Sequence, residues 1–264
     1  MSFFDKTPAR GLLNVTLQTF LLLRRDRVFV PAVVAGVMIA AMANLISDWS
    51  VEDFSKILYD VGAFGFHVTG NIVAIFWGTK IFGDARTEGS LEVQLAAPIN
   101  RTTWLTGKFL GLSISLVFLW LILLVFWQGL MKLNYFGWLD ARQGVFFIFQ
   151  LLGWLVVAAI ATFFSSFCSA TVALFSSFCL WLAGIATALV AGSLSSNTPE
   201  VTRKFVEGLA QVWDLQQFNL VRYVVTEPPL PLHELGWRAS YGVILILLLI
   251  TTGSIIFSRR DVIS

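Results

Sequence analysis

Six apolar stretches, each close to the length that crosses a lipid bilayer, constrain this chain more than any other feature. They occupy roughly residues 28–46, 61–82, 109–131, 143–165, 171–194 and 238–257. About 20 apolar residues in a helix span the hydrocarbon core of a membrane. The chain is 57% hydrophobic and 13% charged, with a mean hydropathy of +0.78, which excludes a water-soluble globule. The sequence therefore predicts an all-α polytopic membrane protein with six transmembrane helices.

The spans consume most of the 264 residues, so we expect a single transmembrane domain over residues 1–264. Its predicted parts are residues 1–27 before the first span, spans one to five within 28–194, an external segment at 195–237, the sixth span at 238–257 and a tail at 258–264. The first span is not followed by a convincing processing site, so we expect it to be retained. Cys168 and Cys179 lie in apolar sequence and suggest neither a disulfide nor a metal site.

An amphipathic helix is predicted ahead of the first span. Thr7 and Pro8 resemble a cap followed by proline at the first helical position, and leucines recur at helical spacing up to Leu23. This helix is expected to lie along the inner membrane surface. A longer first span starting near Leu12 would bury Arg24, Arg25 and Arg27, at about 2.5–3.5 kcal/mol for each charge.

The distribution of Lys and Arg predicts the orientation. If the N-terminus is cytosolic, eleven of the 18 basic residues lie inside: Lys6, Arg10, Arg24, Arg25, Arg27, Lys80, Arg86, Arg101, Lys108, Arg259 and Arg260. Of the other seven, Arg203, Lys204 and Arg222 fall in the long external loop and Arg238 borders it, and the positive-inside rule counts such loops least. Both termini and the charged segment between spans two and three are therefore predicted to be cytosolic.

That charged segment, residues 80–108, is longer than a typical connection between neighbouring helices. It predicts two short cytosolic helices, of which the first is capped by Asp84 or Thr87 and the second starts at Asn100 or Thr102. Leu91 and Leu95 share one face of the first helix, and Pro98 stops it. Exposed leucines on a charged helix indicate a docking surface, and the alternative is a loop helix packed on its own membrane domain.

Catalytic motifs are missing from the sequence. Thr106-Gly107-Lys108-Phe109 contains a Gly-Lys pair but lacks the upstream glycine and the hydroxyl residue of a phosphate loop. His67 and His233, the only histidines, have no catalytic partners at suitable spacing. We therefore expect a non-catalytic subunit without a cofactor of its own, and no pattern suggests a nucleic-acid partner.

Polar residues inside the predicted spans are few, and none of the spans carries a deeply placed Asp, Glu, Lys or Arg. Ion-coupled transporters generally need such groups, so this class is disfavoured. His67 and Asn71 are four residues apart and share a helix face. They either line a polar path between helices or form interhelical hydrogen bonds that hold the bundle together.

The external segment contains apolar residues at helical spacing before a proline-rich turn; these are Val201, Phe205, Leu209, Val212 and Trp213. We predict a helix on or in the outer leaflet. It either forms a lid over the outer end of the bundle or contacts a substrate, and forty residues are too few for a free-standing domain.

Several motifs resemble those of ABC-2-type transporter permeases. They are Glu88-Gly89-Ser90-Leu91, Ala97-Pro98-Ile99-Asn100-Arg101, Gly107-Lys108-Phe109-Leu110-Gly111 and the terminal Phe257-Ser258-Arg259-Arg260-Asp261-Val262. Asp214-Leu215-Gln216-Gln217-Phe218-Asn219 is similar to a segment of the branch linked to multicopper-enzyme maturation and nitrous oxide reductase assembly.

The resemblance implies an ABC transporter permease that pairs with a second copy or a homologue and with two ATPase subunits, which would bind ATP and Mg. It implies a bacterial inner-membrane location, contact with membrane lipids, export of a substrate and an external accessory protein. The implied ATPase-coupling residues are Asp84, Arg86, Thr87, Glu88, Gly89, Leu91, Leu95, Pro98 and Arg101. Spans two and five would line the path, with Phe66, His67, Asn71 and Trp181 as candidate path residues. The alternative function is a non-transporting membrane anchor or assembly factor that recruits a cytosolic partner.

Overall fold

The computed structural model describes residues 8–48, 54–87, 100–134, 139–194, 199–225, 228 and 230–259. Over these ranges the chain is helical and contains no strand. The α-helices are α1 (Pro8–Arg24), α2 (Phe29–Ser47), α3 (Phe54–Thr87), α4 (Arg101–Leu133), α5 (Ala141–Phe167), α6 (Ala170–Ser193), α7 (Glu200–Val212), α8 (Val221–Val225) and α9 (Leu232–Arg259). A short 3-10 helix covers Gln216–Phe218.

Six of these helices, namely α2 to α6 and α9, are long and apolar enough to cross a membrane. This confirms the predicted all-α architecture with six spans. The fourth and fifth spans are joined by a very short connection, since α5 ends at Phe167 and α6 begins at Ala170. Ser169 occupies the N-cap position of α6.

The helices that flank the charged segment are longer than predicted. At 34 residues, α3 is about 51 Å long, well beyond the roughly 30 Å hydrocarbon core. It continues to Thr87, so Asp84 lies within α3, and the predicted helix over Leu91 and Leu95 falls outside the described residues. The predicted second short helix is also wrong as a separate element, because the helix that starts at Arg101 is the whole of α4. Charged and polar residues continue a helix readily once packing has started it, so the end of an apolar run does not mark the end of its helix.

α5 lies at the centre of the bundle and packs against α3, α4, α6 and α9. Its Trp154 indole fills the space beside Gly70 of α3, where an added Cβ would lie 1.7 Å from the ring. About two turns further along the same two helices, a Cβ added at Gly78 would lie 2.6 Å from Ala161 Cβ. Small residues allow such close approach, and packing of this kind drives helix association in membranes, where lipid competes equally for apolar surface.

The helix predicted ahead of the first span is α1, and it packs lengthwise on the first half of α4. The side chain of Val15 packs against Gly107, and that of Thr19 packs against Gly111. The Thr16 hydroxyl lies 3.3 Å from the Gly107 carbonyl oxygen. Leu13 and Leu17 remain exposed on another side of α1. The apolar surface of α1 is thus divided between a packed face and an exposed face.

After α7, the chain turns back into the bundle. Leu215, Phe218 and Leu220 are buried, and the Leu215 amide donates to the Gly184 carbonyl on α6 at 3.2 Å. Phe218 packs beside Gly153 of α5 and Gly242 of α9. The predicted helix in this segment is confirmed as α7, and the residues that follow pack on the bundle as a lid would. Val201, Phe205 and Val212 of α7 stay exposed.

Candidate functional site

The predicted coupling residues fall partly outside the described residues. Glu88, Gly89, Leu91, Leu95 and Pro98 all lie there. Asp84, Arg86 and Thr87 belong to the end of α3, and Arg101 is the first residue of α4. The structure therefore describes the two flanks of the segment.

The α3 flank is attached to the connection between α1 and α2. Lys80 of α3 forms an ion pair with Asp26, whose side chain is only 1% exposed. The second oxygen of Asp26 accepts from the Val28 amide at 2.9 Å. Next to this pair, the ring of Phe29 stacks on Trp77, with centroids 6.2 Å apart. In the sequence, Asp26 stands among Arg24, Arg25 and Arg27, and no local pattern distinguishes it from these charges.

The α4 flank is attached to α1 and to the end of α9. Trp104 stacks on Phe257 of α9 at 5.6 Å, and the Lys108 ammonium lies 5.2 Å from the Trp104 ring centre. Arg101 donates to the Ser258 carbonyl at 3.3 Å. Both flanks of the segment between α3 and α4 thus contact neighbouring parts of the chain.

The four candidate path residues lie together inside the bundle, and all are buried. Phe66 stacks on Trp154 with ring centroids 5.0 Å apart. The Trp181 ring of α6 lies 6.2 Å from the His67 ring of α3. Asn71 donates to the His67 carbonyl of its own helix at 2.8 Å. The cluster thus joins side chains of α3, α5 and α6.

His67 is bound across the helix interface. Its Nδ1 lies 2.9 Å from Gln150 Oε1 on α5, so Nδ1–H donates and Nε2 is left as an acceptor. Among the described residues, five buried polar atoms of this cluster have no hydrogen-bond partner: His67 Nε2, Asn71 Oδ1, Gln150 Nε2, Trp154 Nε1 and Trp181 Nε1. The interhelical bond matches the structural alternative, and the unpartnered atoms leave hydrogen-bonding capacity for a polar ligand.

Two members of the cluster were not predicted as site residues. Gln150 is conspicuous as a rare amide within an apolar run, but nothing in the sequence pairs it with His67. Trp154 is one of ten tryptophans and carries no distinguishing pattern.

A polar cleft of about 620 Å³ lies at the end of the bundle where α9 begins. Its lining includes Asp214, Gln217, His233, Glu234 and Arg238. Partial burial raises the pKa of Asp214, while hydrogen bonds from the Gln216 and Gln217 amides and the charge of Arg238 act in the opposite direction. Among the described residues, no three His, Cys, Asp or Glu side chains come together as metal ligands.

The family profile described as ABC-2 family transporter protein matches residues 23–262, which include all six candidate spans. The chain belongs to the ABC-2 transporter family. Membership identifies it as a multi-pass membrane subunit of an ABC transporter and implies an ABC ATPase partner. No curated protein matches the chain.

Proposed function

We propose that this ABC-2 protein is the permease of an exporter, in which the segment between α3 and α4 binds a separate ATPase subunit. The proposal rests on how the two ends of this segment are attached to the rest of the protein. Both flanking helices extend past the membrane core. Lys80 of α3 is paired with Asp26 in the connection between α1 and α2, and α4 packs on α1 at Gly107 and Gly111. A segment held in this way passes force from a cytosolic partner to the spans.

Within the segment, Leu91 and Leu95 form the proposed docking face. Asp84, Arg86 and Thr87 lead into it from α3, Glu88 and Gly89 begin it, Pro98 ends it, and Arg101 starts α4. The ATPase subunit would supply the ATP and Mg chemistry, because this chain has no phosphate loop.

Replacing Leu91 and Leu95 together by Glu is expected to abolish ATPase binding, because two charges would have to be buried in the docking cleft. The measurement is co-purification from membranes with an ATPase encoded beside the gene. Val93→Glu with Ala96→Glu is the matched control, since it adds the same charges to the opposite face of the predicted helix. Undiminished co-purification of the Leu91/Leu95 variant from intact membranes would overturn the proposed docking face.

A second copy of the chain fits the exposed face of α6. The face consists of residues spaced alternately by three and four positions, all of them exposed: Val172, Phe175, Cys179, Leu182, Ala186 and Leu189. This spacing keeps one stripe of a helix against a partner helix. We therefore propose that two copies, or this chain and a homologue, meet along α6 around a two-fold axis.

The substrate path is proposed to run beside α3 and α6, and to expose Phe66, His67, Asn71 and Trp181 when these helices separate. Both termini would be cytosolic, in a bacterial inner membrane, and the cleft near His233 would face outward. An external accessory protein would contact this end, and the short Asp214–Asn219 match supports the multicopper-enzyme maturation branch.

ATPase activity stimulated by substrate in reconstituted membranes tests transport. ATPase binding without such stimulation would favour the anchor alternative.

A further inference from the structure

We propose that Asp26 is the positioning residue that couples α3 to the α1–α2 connection, so that movement of the ATPase-bound segment is passed to α1 through the Asp26–Lys80 ion pair. This inference rests on the proposed function, because it assumes that the segment after α3 receives force from an ATPase. Asp26 and Lys80 are separated by 54 positions in the sequence.

The connection that carries Asp26 is tightly ordered. The amides of Arg25 and Asp26 donate to the carbonyls of Leu22 and Leu23, which ends α1, and the Phe29 amide donates to the Asp26 carbonyl, which starts α2. One carboxylate oxygen holds the Val28 amide and the other holds Lys80. Asp26 is thus bonded on one side to its own turn and on the other to α3.

Because the Asp26 carboxylate is buried, its stability depends on keeping Lys80 of α3 within reach. Arg24, Arg25 and Arg27 are exposed, whereas Asp26 is buried. A buried carboxylate that loses its cationic partner carries a large desolvation cost. Sliding α3 by one helical turn would move Lys80 by about 5.4 Å and break the pair unless the connection moved with it. The same displacement would disturb the stack of Phe29 on Trp77. A shift of α3 along its axis should therefore carry the connection with it.

α1 then extends this movement to the other flank. Its packed face fits against Gly107 and Gly111 of α4 with almost no free space: an added Cβ at Gly111 would lie 2.6 Å from the Thr16 carbonyl oxygen. α1 and the connection after it therefore link the two ends of the coupling segment through contacts of different kinds: Asp26 of the connection is ion-paired to α3, and α1 packs closely on α4. Lys80 makes a further interaction besides the pair, whereas the buried Asp26 carboxylate is held by Lys80 and the Val28 amide.

The experiment follows α1 in the complete complex with its ATPase, reconstituted in lipid nanodiscs. Leu17, which is 47% exposed on α1, is replaced by Cys in a Cys168→Ser, Cys179→Ser background, and the rate of maleimide labelling is measured with and without ATP plus vanadate. The expected result is a nucleotide-dependent change in rate that falls at least about fivefold in Asp26→Asn, a typical size for coupling between sites. Binding of the ATPase should stay unchanged.

Four further variants distinguish loss of coupling from general loss of structure. Lys80→Arg keeps the charge and should retain the response, and Arg25→Gln, at the exposed neighbour of Asp26, should also retain it. Lys80→Gln should lose the response, and it carries the test if Asp26→Asn fails to reach the membrane. The double variant Asp26→Asn, Lys80→Gln should be no worse than the poorer single variant, because both remove the same interaction.

A full response in Asp26→Asn, or additive losses in the double variant, would overturn the inference while leaving the proposed function standing. Absence of ATPase binding, or of any nucleotide response in the protein with Asp26 and Lys80 intact, would instead overturn the proposed function and the inference with it.

Discussion

His67 and Gln150 form a hydrogen bond between α3 and α5, inside two helices that qualify as membrane spans. Polar groups at this depth are costly unless they are paired, because lipid offers no hydrogen bonds. The pair is therefore a structural contact in its own right, whatever its role in transport. The unpartnered Nε2 of His67 and Oδ1 of Asn71 distinguish this site from a fully satisfied pair.

Gln150→Leu is expected to destabilise the protein by about 1–3 kcal/mol, because it leaves His67 Nδ1 buried without an acceptor. Replacing both residues, as His67→Phe with Gln150→Leu, should recover most of that loss. Thermal unfolding in detergent, followed by loss of helical circular dichroism, measures both effects.

Gln128→Leu on α4 is the matched control. The buried amide nitrogen of Gln128 has no hydrogen-bond partner among the described residues, so the change should be neutral or stabilising. Equal destabilisation by Gln128→Leu and Gln150→Leu would show that the bond to His67 contributes nothing.

At the scale of elements, α6 combines a buried and an exposed role. Trp181 and Ser177 are buried against the rest of the chain, whereas the stripe through Cys179 is exposed. A stripe with alternating spacing of three and four residues brings equivalent positions of two parallel helices together across a two-fold axis. Cys179 lies near the middle of this stripe and is a natural reporter of the contact.

Oxidation of membranes that contain the Cys168→Ser variant is expected to link two copies through Cys179, giving a dimer on non-reducing gels. A disulfide requires Cα atoms about 4.4–6.8 Å apart, so it reports direct contact. Leu180→Cys in a Cys168→Ser, Cys179→Ser background places the thiol beside the stripe and should give no dimer. Equal cross-linking at both positions would indicate random collisions, and no cross-linking at Cys179 would argue against α6 as the interface.

At the scale of the whole molecule, different elements cover the two ends of the bundle. At one end, α1 packs on α4, and the connection that follows α1 is ion-paired to α3. At the other, the turn from Asp214 to Leu220 enters among α5, α6 and α9 and satisfies its backbone locally, for example through the Gln216 amide and the Asp214 carboxylate at 2.8 Å. Leu215, Phe218 and Leu220 of this turn are buried, so the surrounding helices cover it.

The stability of the protein should decrease as the pH rises through the range in which Asp214 ionises. Partial burial raises the pKa of Asp214 above its ordinary value of 3.8, so the folded state binds more protons than the unfolded state between the two pKa values, and stability falls as the pH increases there. Asp214→Asn should remove this dependence and should melt at a higher temperature than the unmodified protein above that range. Melting temperature measured against pH tests this, and parallel curves for the two proteins would contradict it.

Much of the fold could be predicted because it depends on local composition. The apolar runs predict six spans, since a helix must satisfy its backbone within the bilayer whatever its neighbours. The apolar spacing of Val201, Phe205 and Leu209 predicts α7 for a similar local reason. The bounds of α3 and α4 were misjudged because these helices continue beyond their apolar runs, and their contacts come from distant parts of the chain: Lys80 of α3 pairs with Asp26, and α4 packs on α1 and α9.

In the candidate site, too, some features follow from local sequence and others from tertiary packing. His67 and Asn71 could be placed on one helix face from their spacing alone, because the helical repeat is local. Their neighbours Gln150, Trp154 and Trp181 come from other helices, and only the tertiary structure decided which side chains meet. Asp26 shows the limit most clearly: in the sequence it is one charge among exposed arginines, and its burial against Lys80 depends on a contact across 54 positions. Membrane class and helix number follow from transfer of each segment into lipid, whereas burial and pairing follow from how the segments pack together.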